Sequence, residues 1–160
     1  MSVSGLSPQH VREAVNAALQ AAILGLRHHP AIHYTQGGSR WSGIDRNLVA
    51  ARGQYPPYAD CSSYVTWCYW NGLTQRGAKH SDIVNGCGWR AGYTGTMLQH
   101  GKQVGSPIPG DAIIYGSGFP GAHTALYTGG GLVVSHGSEA GPMLIPWRYR
   151  RDVLSIRRYI

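Results

Sequence analysis

Acidic residues are scarce in this chain: 7 Asp and Glu stand against 14 Lys and Arg in 160 residues, for a formal net charge of +7. Such a surplus implies affinity for a polyanion; nucleic acid and anionic cell-wall polymer both fit, and charge does not choose between them. Cysteine is nearly missing as well. Three residues without CxxC spacing argue against a disulfide framework and against a zinc ribbon. No apolar run approaches the roughly 20 residues of a membrane span, so insertion into a bilayer is not expected. The start, Met1 to Gly5, has no basic stretch followed by an apolar one, so no export signal is read there. Charged residues make up only 13% of the chain. The 23 glycines and 9 prolines are spread along it rather than gathered into a linker, which argues for many turns and against disorder. A chain of this length is most simply one domain around one core.

Ser7-Pro8 reads as an N-cap followed by proline at the first helical position. Val11, Ala14, Val15, Ala18, Leu19, Ala22, Ile23 and Leu26 then recur at helical spacing, which predicts a helix from about residue 8 to 26. Residues 28 to 58 read as irregular. A second helix is predicted from about Asp60 to Asn71, with Gly72 as the residue that closes it. The Gly-rich piece around Cys87 reads as a loop, and a short helix is expected near Tyr93 to His100. From Gly110 the pattern turns to strands: Ala112 to Tyr115, His123 to Tyr127, Leu132 to His136, and Val153 to Tyr159. Helices first and strands later is an α+β order with an antiparallel sheet. Five basic residues, Arg148, Arg150, Arg151, Arg157 and Arg158, fall in the last 13 positions and read as a solvated strand end.

The chemistry concentrates at Cys61. A thiol at the first turn of a helix meets unpaired N–H groups and the positive end of the helix dipole, which favour thiolate, the nucleophilic form. Cys61, Tyr64, Val65, Cys68 and Tyr69 form one helical stripe facing the core. Cys68 and Cys87 read as packing or incidental residues. His123 and His136 flank the turn Thr128 to Gly131. The symmetric hairpin register pairs Tyr127 with Leu132, Ala125 with Val134, and His123 with His136, and so sets two imidazoles side by side. A bulge in the glycine run would break that register. Zinc on Cys61, His123 and His136 would lack a fourth ligand, so no metal and no cofactor is expected.

Several blocks together resemble the NlpC-type cell-wall peptidases, papain-like cysteine hydrolases related to the CHAP type. Asp60-Cys61-Ser62-Ser63 is similar to the family's Asp-Cys-Ser-Gly nucleophile motif, with Ser63 in place of glycine. His33 to Gly38 resembles the aromatic and Gly-Gly segment before it. Pro109 to Tyr115 resembles the strand led by Pro-Gly-Asp. His123 to Tyr127 and Val134 to His136 resemble the strands of the base and of the third polar residue. The blocks span about residues 20 to 136, and residues 72 to 105 match nothing. The resemblance implies a papain-like α+β domain over residues 1–160, with Cys61 as nucleophile, His123 as general base and His136 orienting it. Glu139 is the alternative orienter. It also implies substrate-binding roles for Tyr34, Asp60 and Ser62. The partner implied is bacterial peptidoglycan, met by a monomer, with no nucleic acid. The reaction implied is cleavage of a stem-peptide amide between D-glutamate and a diamino acid. N-acetylmuramoyl-L-alanine amidase activity and a non-catalytic wall-binding module stay open beside it. With no export signal read, the expectation is the N-terminal peptidase domain of a phage endolysin, or a small complete one, made in the host cytoplasm and acting on the wall once the membrane is permeabilised.

Overall fold

The computed structural model describes residues 3–74, 79–137 and 140–160. In chain order its elements are α1 (Pro8–Arg27), β1 (His33–Tyr34), α2 (Ser42–Asp45), β2 (Tyr58–Ala59), α3 (Cys61–Thr74), α4 (Thr94–Leu98), β3 (Lys102–Val104), β4 (Ala112–Tyr115), β5 (His123–Gly129), β6 (Leu132–Ser135), β7 (Met143–Pro146) and β8 (Val153–Arg158). β1 and β2 form a short parallel pair. The other six strands make one antiparallel sheet in the order β3-β8-β4-β5-β6-β7. The α+β class and the central antiparallel sheet expected from the sequence are both present.

α1 starts as its sequence predicts: the Ser7 hydroxyl accepts the His10 N–H at 3.3 Å, and Pro8 takes the first position. It buries small residues, Ala14, Ala18, Ala21, Ala22 and Gly25, and so lets α3 come close. The Tyr64 hydroxyl reaches across to donate to the Ala22 carbonyl at 2.8 Å. Gly72 does not close α3, as the sequence suggested, because the helix runs on to Thr74. A Cβ at Gly72 would lie 2.5 Å from the Ala14 carbonyl oxygen, so the glycine is there for contact with α1.

α3 is buried on all sides, not along one stripe. Cys61, Tyr64, Val65, Cys68 and Tyr69 are all in the core, as expected, but so are Thr66, Trp67 and Asn71. The polar groups on that second face fasten loops to the helix. Trp67 donates to the Leu48 carbonyl at 2.8 Å, the Asn71 side-chain Oδ1 accepts the Ala50 N–H at 2.9 Å, and the Thr66 hydroxyl accepts from the Asn85 side chain at 2.9 Å. The stretch around Cys87, opaque in sequence, is wound about Asp82. One carboxylate oxygen accepts the N–H groups of Val84 and Asn85, and the other those of Cys87 and Trp89, all at 2.9–3.1 Å.

The sheet separates two apolar clusters. Ala112, Ile114, Leu126 and Val134 face the helices, while Ile113, Tyr115, Ala125, Tyr127, Val133 and Ile156 form a smaller cluster on the outer face. Two residues of the basic tail are structural rather than solvated. Arg158 makes a bidentate pair with Asp111 at 2.9 and 2.8 Å, and Arg157 donates to the His100 carbonyl.

Candidate active site

Asp60 and Ser63 build the start of α3. The Asp60 carboxylate accepts the Ser63 N–H at 2.9 Å, and the Ser63 hydroxyl accepts the Asp60 N–H at 2.8 Å. This reciprocal capping box explains why serine stands where the related motif has glycine. Ser62 donates to the same Asp60 oxygen at 3.3 Å. The other oxygen faces Arg40 Nε at 3.6 Å, and Arg40 also donates to the carbonyls of Gln36 and Gly92. Asp60 and Ser62, expected at the substrate, are 8% and 2% exposed, and their bonds serve the helix cap.

Cys61 follows at the first helical position, 8% exposed. Its thiol is not depressed as the helix address suggested. Burial, and then the neighbouring Asp60 charge, push it up to about 11, while the N–H groups of Thr124, Ser62 and Cys61 pull the other way without prevailing. A rise from 9.0 to about 11 disfavours the resting thiolate by about 3 kcal/mol. The Thr124 N–H meets this sulfur at the beginning of β5, and the residue before it is His123.

His123 and His136 do not pair. In the hairpin Ala125 stands opposite Ser135, Leu126 opposite Val134 and Tyr127 opposite Val133, with a bulge between Tyr127 and Gly129. Gly129, Gly130 and Gly131 all adopt positive φ, of 101°, 62° and 79°, which gives the turn the extra residue. A one-residue shift exchanges the faces of a strand. Ser135 therefore shares the outer face with His123, and its hydroxyl lies 2.7 Å from His123 Nε2. His136 falls on the helix side. Its Nε2 bonds the Ala59 carbonyl at 3.1 Å, and its ring packs against Tyr34 and Tyr64. The Ala59 carbonyl also accepts the Thr35 N–H, so His136 braces the strand that delivers Cys61. Ser135 is the residue that the sequence reading missed. The signal was the run of three glycines, which favours a bulge over a symmetric turn. Glu139, the alternative orienter, lies outside the described residues.

The His123 ring stacks on Tyr115, 5.8 Å between centroids and 27° between planes. Tyr115 donates to the Trp147 carbonyl at 2.6 Å and carries the Arg150 guanidinium 5.5 Å over its ring. Tyr34, on the other side of the site, borders a hollow of about 250 Å³ formed with Pro30, Ile32 and His33. Among the described residues no group of three or more His, Cys, Asp or Glu is placed to hold a metal ion. Cys87 is an exposed thiol, and Cys68 is fully buried with its thiol pushed up by desolvation.

Comparison of the sequence with known families finds no match, and no curated protein matches it. The fold does match. The peptidoglycan hydrolase RipB of Mycobacterium tuberculosis superposes with a TM-score of 0.66 at 22% identity, over 99% of this chain and 70% of RipB. The NlpC/p60 domain of the peptidoglycan hydrolase SagA gives 0.59 at 18% identity, over 90% of this chain and 98% of that domain. RipD of Mycobacterium tuberculosis, a non-catalytic NlpC/p60 protein adapted to peptidoglycan binding, gives 0.52 at 18%, over 89% and 98%. The chain has the papain-like fold of these NlpC/p60 proteins.

Proposed function

We propose that this protein hydrolyses an amide bond in the stem peptide of peptidoglycan, with Cys61 as nucleophile and His123 as general base. Two observations support the reading: a helix-start thiol that meets the Thr124 N–H, one residue along the chain from His123, and a His123 ring whose Nε2 lies 2.7 Å from the Ser135 hydroxyl. In this reading Nε2–H donates to the Ser135 hydroxyl and Nδ1 takes the thiol proton. The raised thiol favours deprotonation during attack over a resting ion pair. The sulfur adds to the carbonyl carbon, and N–H groups at the start of α3 stabilise the oxyanion. His123 passes its proton to the departing amine. Water, deprotonated by His123, then opens the thioester and releases the carboxylic acid.

The hollow that Tyr34 borders suits a substrate group. Asp60 suits a cationic substrate group less well than a bare carboxylate would, because Arg40 offsets its charge. The preferred bond is the one between D-glutamate and the diamino acid. Action during phage-induced lysis belongs to the same proposal, and it predicts that cytoplasmic expression is harmless until the membrane is permeabilised.

The test is mass spectrometry of fragments released from purified peptidoglycan. A new amine on the diamino acid is expected from the active protein and none from Cys61→Ala. Release of free muramoyl lactyl carboxyl groups would instead make the protein an amidase. No release at all would favour the second reading, a binding module. The specific observation behind that reading is that RipD, of the same fold, is non-catalytic. Thiol alkylation separates the two only in a Cys87→Ser background, since Cys87 is exposed and reacts on its own account.

A further inference from the structure

The outer face of the sheet carries a second feature that hydrolysis does not use. A cavity of about 550 Å³ opens there, floored by Val153 and Ile156 and walled by Trp147, Arg148, Arg150 and Arg151. It lies on the same face of the sheet as His123. Val153 pairs with Tyr115, and Tyr115 pairs with His123, so the floor lies two strand spacings, about 10 Å, from the general base.

The cations of the tail divide by use. Arg157 and Arg158 are bound to His100 and Asp111, and Arg150 is held bidentate by Asp152 at 2.9 and 2.6 Å. Arg148, lying 4.4 Å over the Trp147 ring, and Arg151 are both exposed at the cavity wall. Two outward guanidinium groups above an aliphatic floor match a chain that alternates an anion with a ring bearing C–H faces. Nucleic acid fits less well, since its bases seek open aromatic faces. Here the Trp147 ring is covered by Arg148 and meets Tyr127 edge-on.

We propose that this groove holds a phosphodiester-linked sugar chain of the bacterial wall, through Arg148 and Arg151, and so keeps the enzyme on the wall while the neighbouring residues around His123 work on the peptide. The proposal rests on the wall-hydrolase reading, and the two can fail separately.

The experiment uses the full chain carrying Cys61→Ala, sedimented with walls before and after hydrofluoric acid treatment, which removes phosphodiester polymers and leaves the peptidoglycan. Binding to untreated walls should be about fivefold tighter or more, should weaken with salt, and should lose that preference in Arg148→Gln/Arg151→Gln with unchanged melting temperature. If the double variant melts lower, Arg151→Glu alone is read in the same way. Equal binding to both walls, a preference retained in these variants, or displacement by single-stranded DNA in place of the sugar-phosphate polymer would overturn the proposal. Fragment release by the active chain from treated peptidoglycan is scored beside it. Its absence, with the binding preference intact, would sink the hydrolase reading and leave the groove.

Discussion

Removing the Ser135 hydroxyl tests the site most directly. In the proposed mechanism the bond between His123 Nε2 and Ser135 Oγ, 2.7 Å long, joins two neutral groups before proton transfer and is then worth about 0.5–1.5 kcal/mol net. When His123 takes the thiol proton the donor becomes an imidazolium, and such a bond is worth about 1.5–3 kcal/mol. Only the difference, about 1–1.5 kcal/mol, accelerates the reaction, because the ground-state part is present throughout. Ser135→Ala should therefore lower kcat about five- to tenfold with KM little changed, at about 1.4 kcal/mol per factor of ten. Ser135→Thr, which keeps the hydroxyl, should restore kcat. The assay is steady-state release of fragments from soluble peptidoglycan, with Tm measured on each variant. His136→Ala should behave differently. It removes the Ala59 contact and the packing under Tyr34 and Tyr64, and so should cost about 2–3 kcal/mol of stability, a fall in Tm of about 5–10 °C. A large kcat loss in His136→Ala or Glu139→Ala at unchanged Tm, with Ser135→Ala near wild type, would refute the reasoning and move the orienting role.

Asp60→Asn keeps the cap on the Ser63 N–H but removes the charge that opposes the Cys61 thiolate, so iodoacetamide should alkylate Cys61 faster than in the parent at each pH, in a Cys87→Ser background, with stability nearly kept. Gly72→Ala should push α1 off α3, because the new Cβ meets the Ala14 carbonyl; overpacking of this kind costs about 1–3 kcal/mol, seen as a Tm lower by about 3–10 °C. Alkaline pH should unfold the protein. Cys61, Cys68, Tyr64 and Tyr69 are all raised by burial in the folded state, so each binds its proton more tightly folded than unfolded. Their stability is whole below the ordinary thiol and phenol range and is lost as pH climbs through it; urea midpoints measured from pH 8 to 11 should fall, and a flat series would contradict the burial argument.

The sequence by itself determined the elements that rest on local chemistry. Ser7-Pro8 started α1, the stretch read as helical from about Asp60 to Asn71 became most of α3, and the apolar runs at Ala112, His123, Leu132 and Val153 became strands, because capping, proline geometry and periodicity act within a few residues. The short strands β3 and β7 escaped notice: Lys102–Val104 is exposed or half-buried, and Met143–Pro146 is an edge strand that shows no alternation. Placing Cys61 at a helix start was equally local. What only the tertiary structure decided was everything that depends on register and burial. One residue of bulge at Thr128 chose Ser135 over His136 as the partner of His123, since a strand exchanges faces with every residue. Gly72 is a contact and not a stop because α1 happens to cross it. The thiol is raised and not lowered because the core around Cys61, and the charge of Asp60, outweigh the helix N–H groups that the sequence alone makes visible.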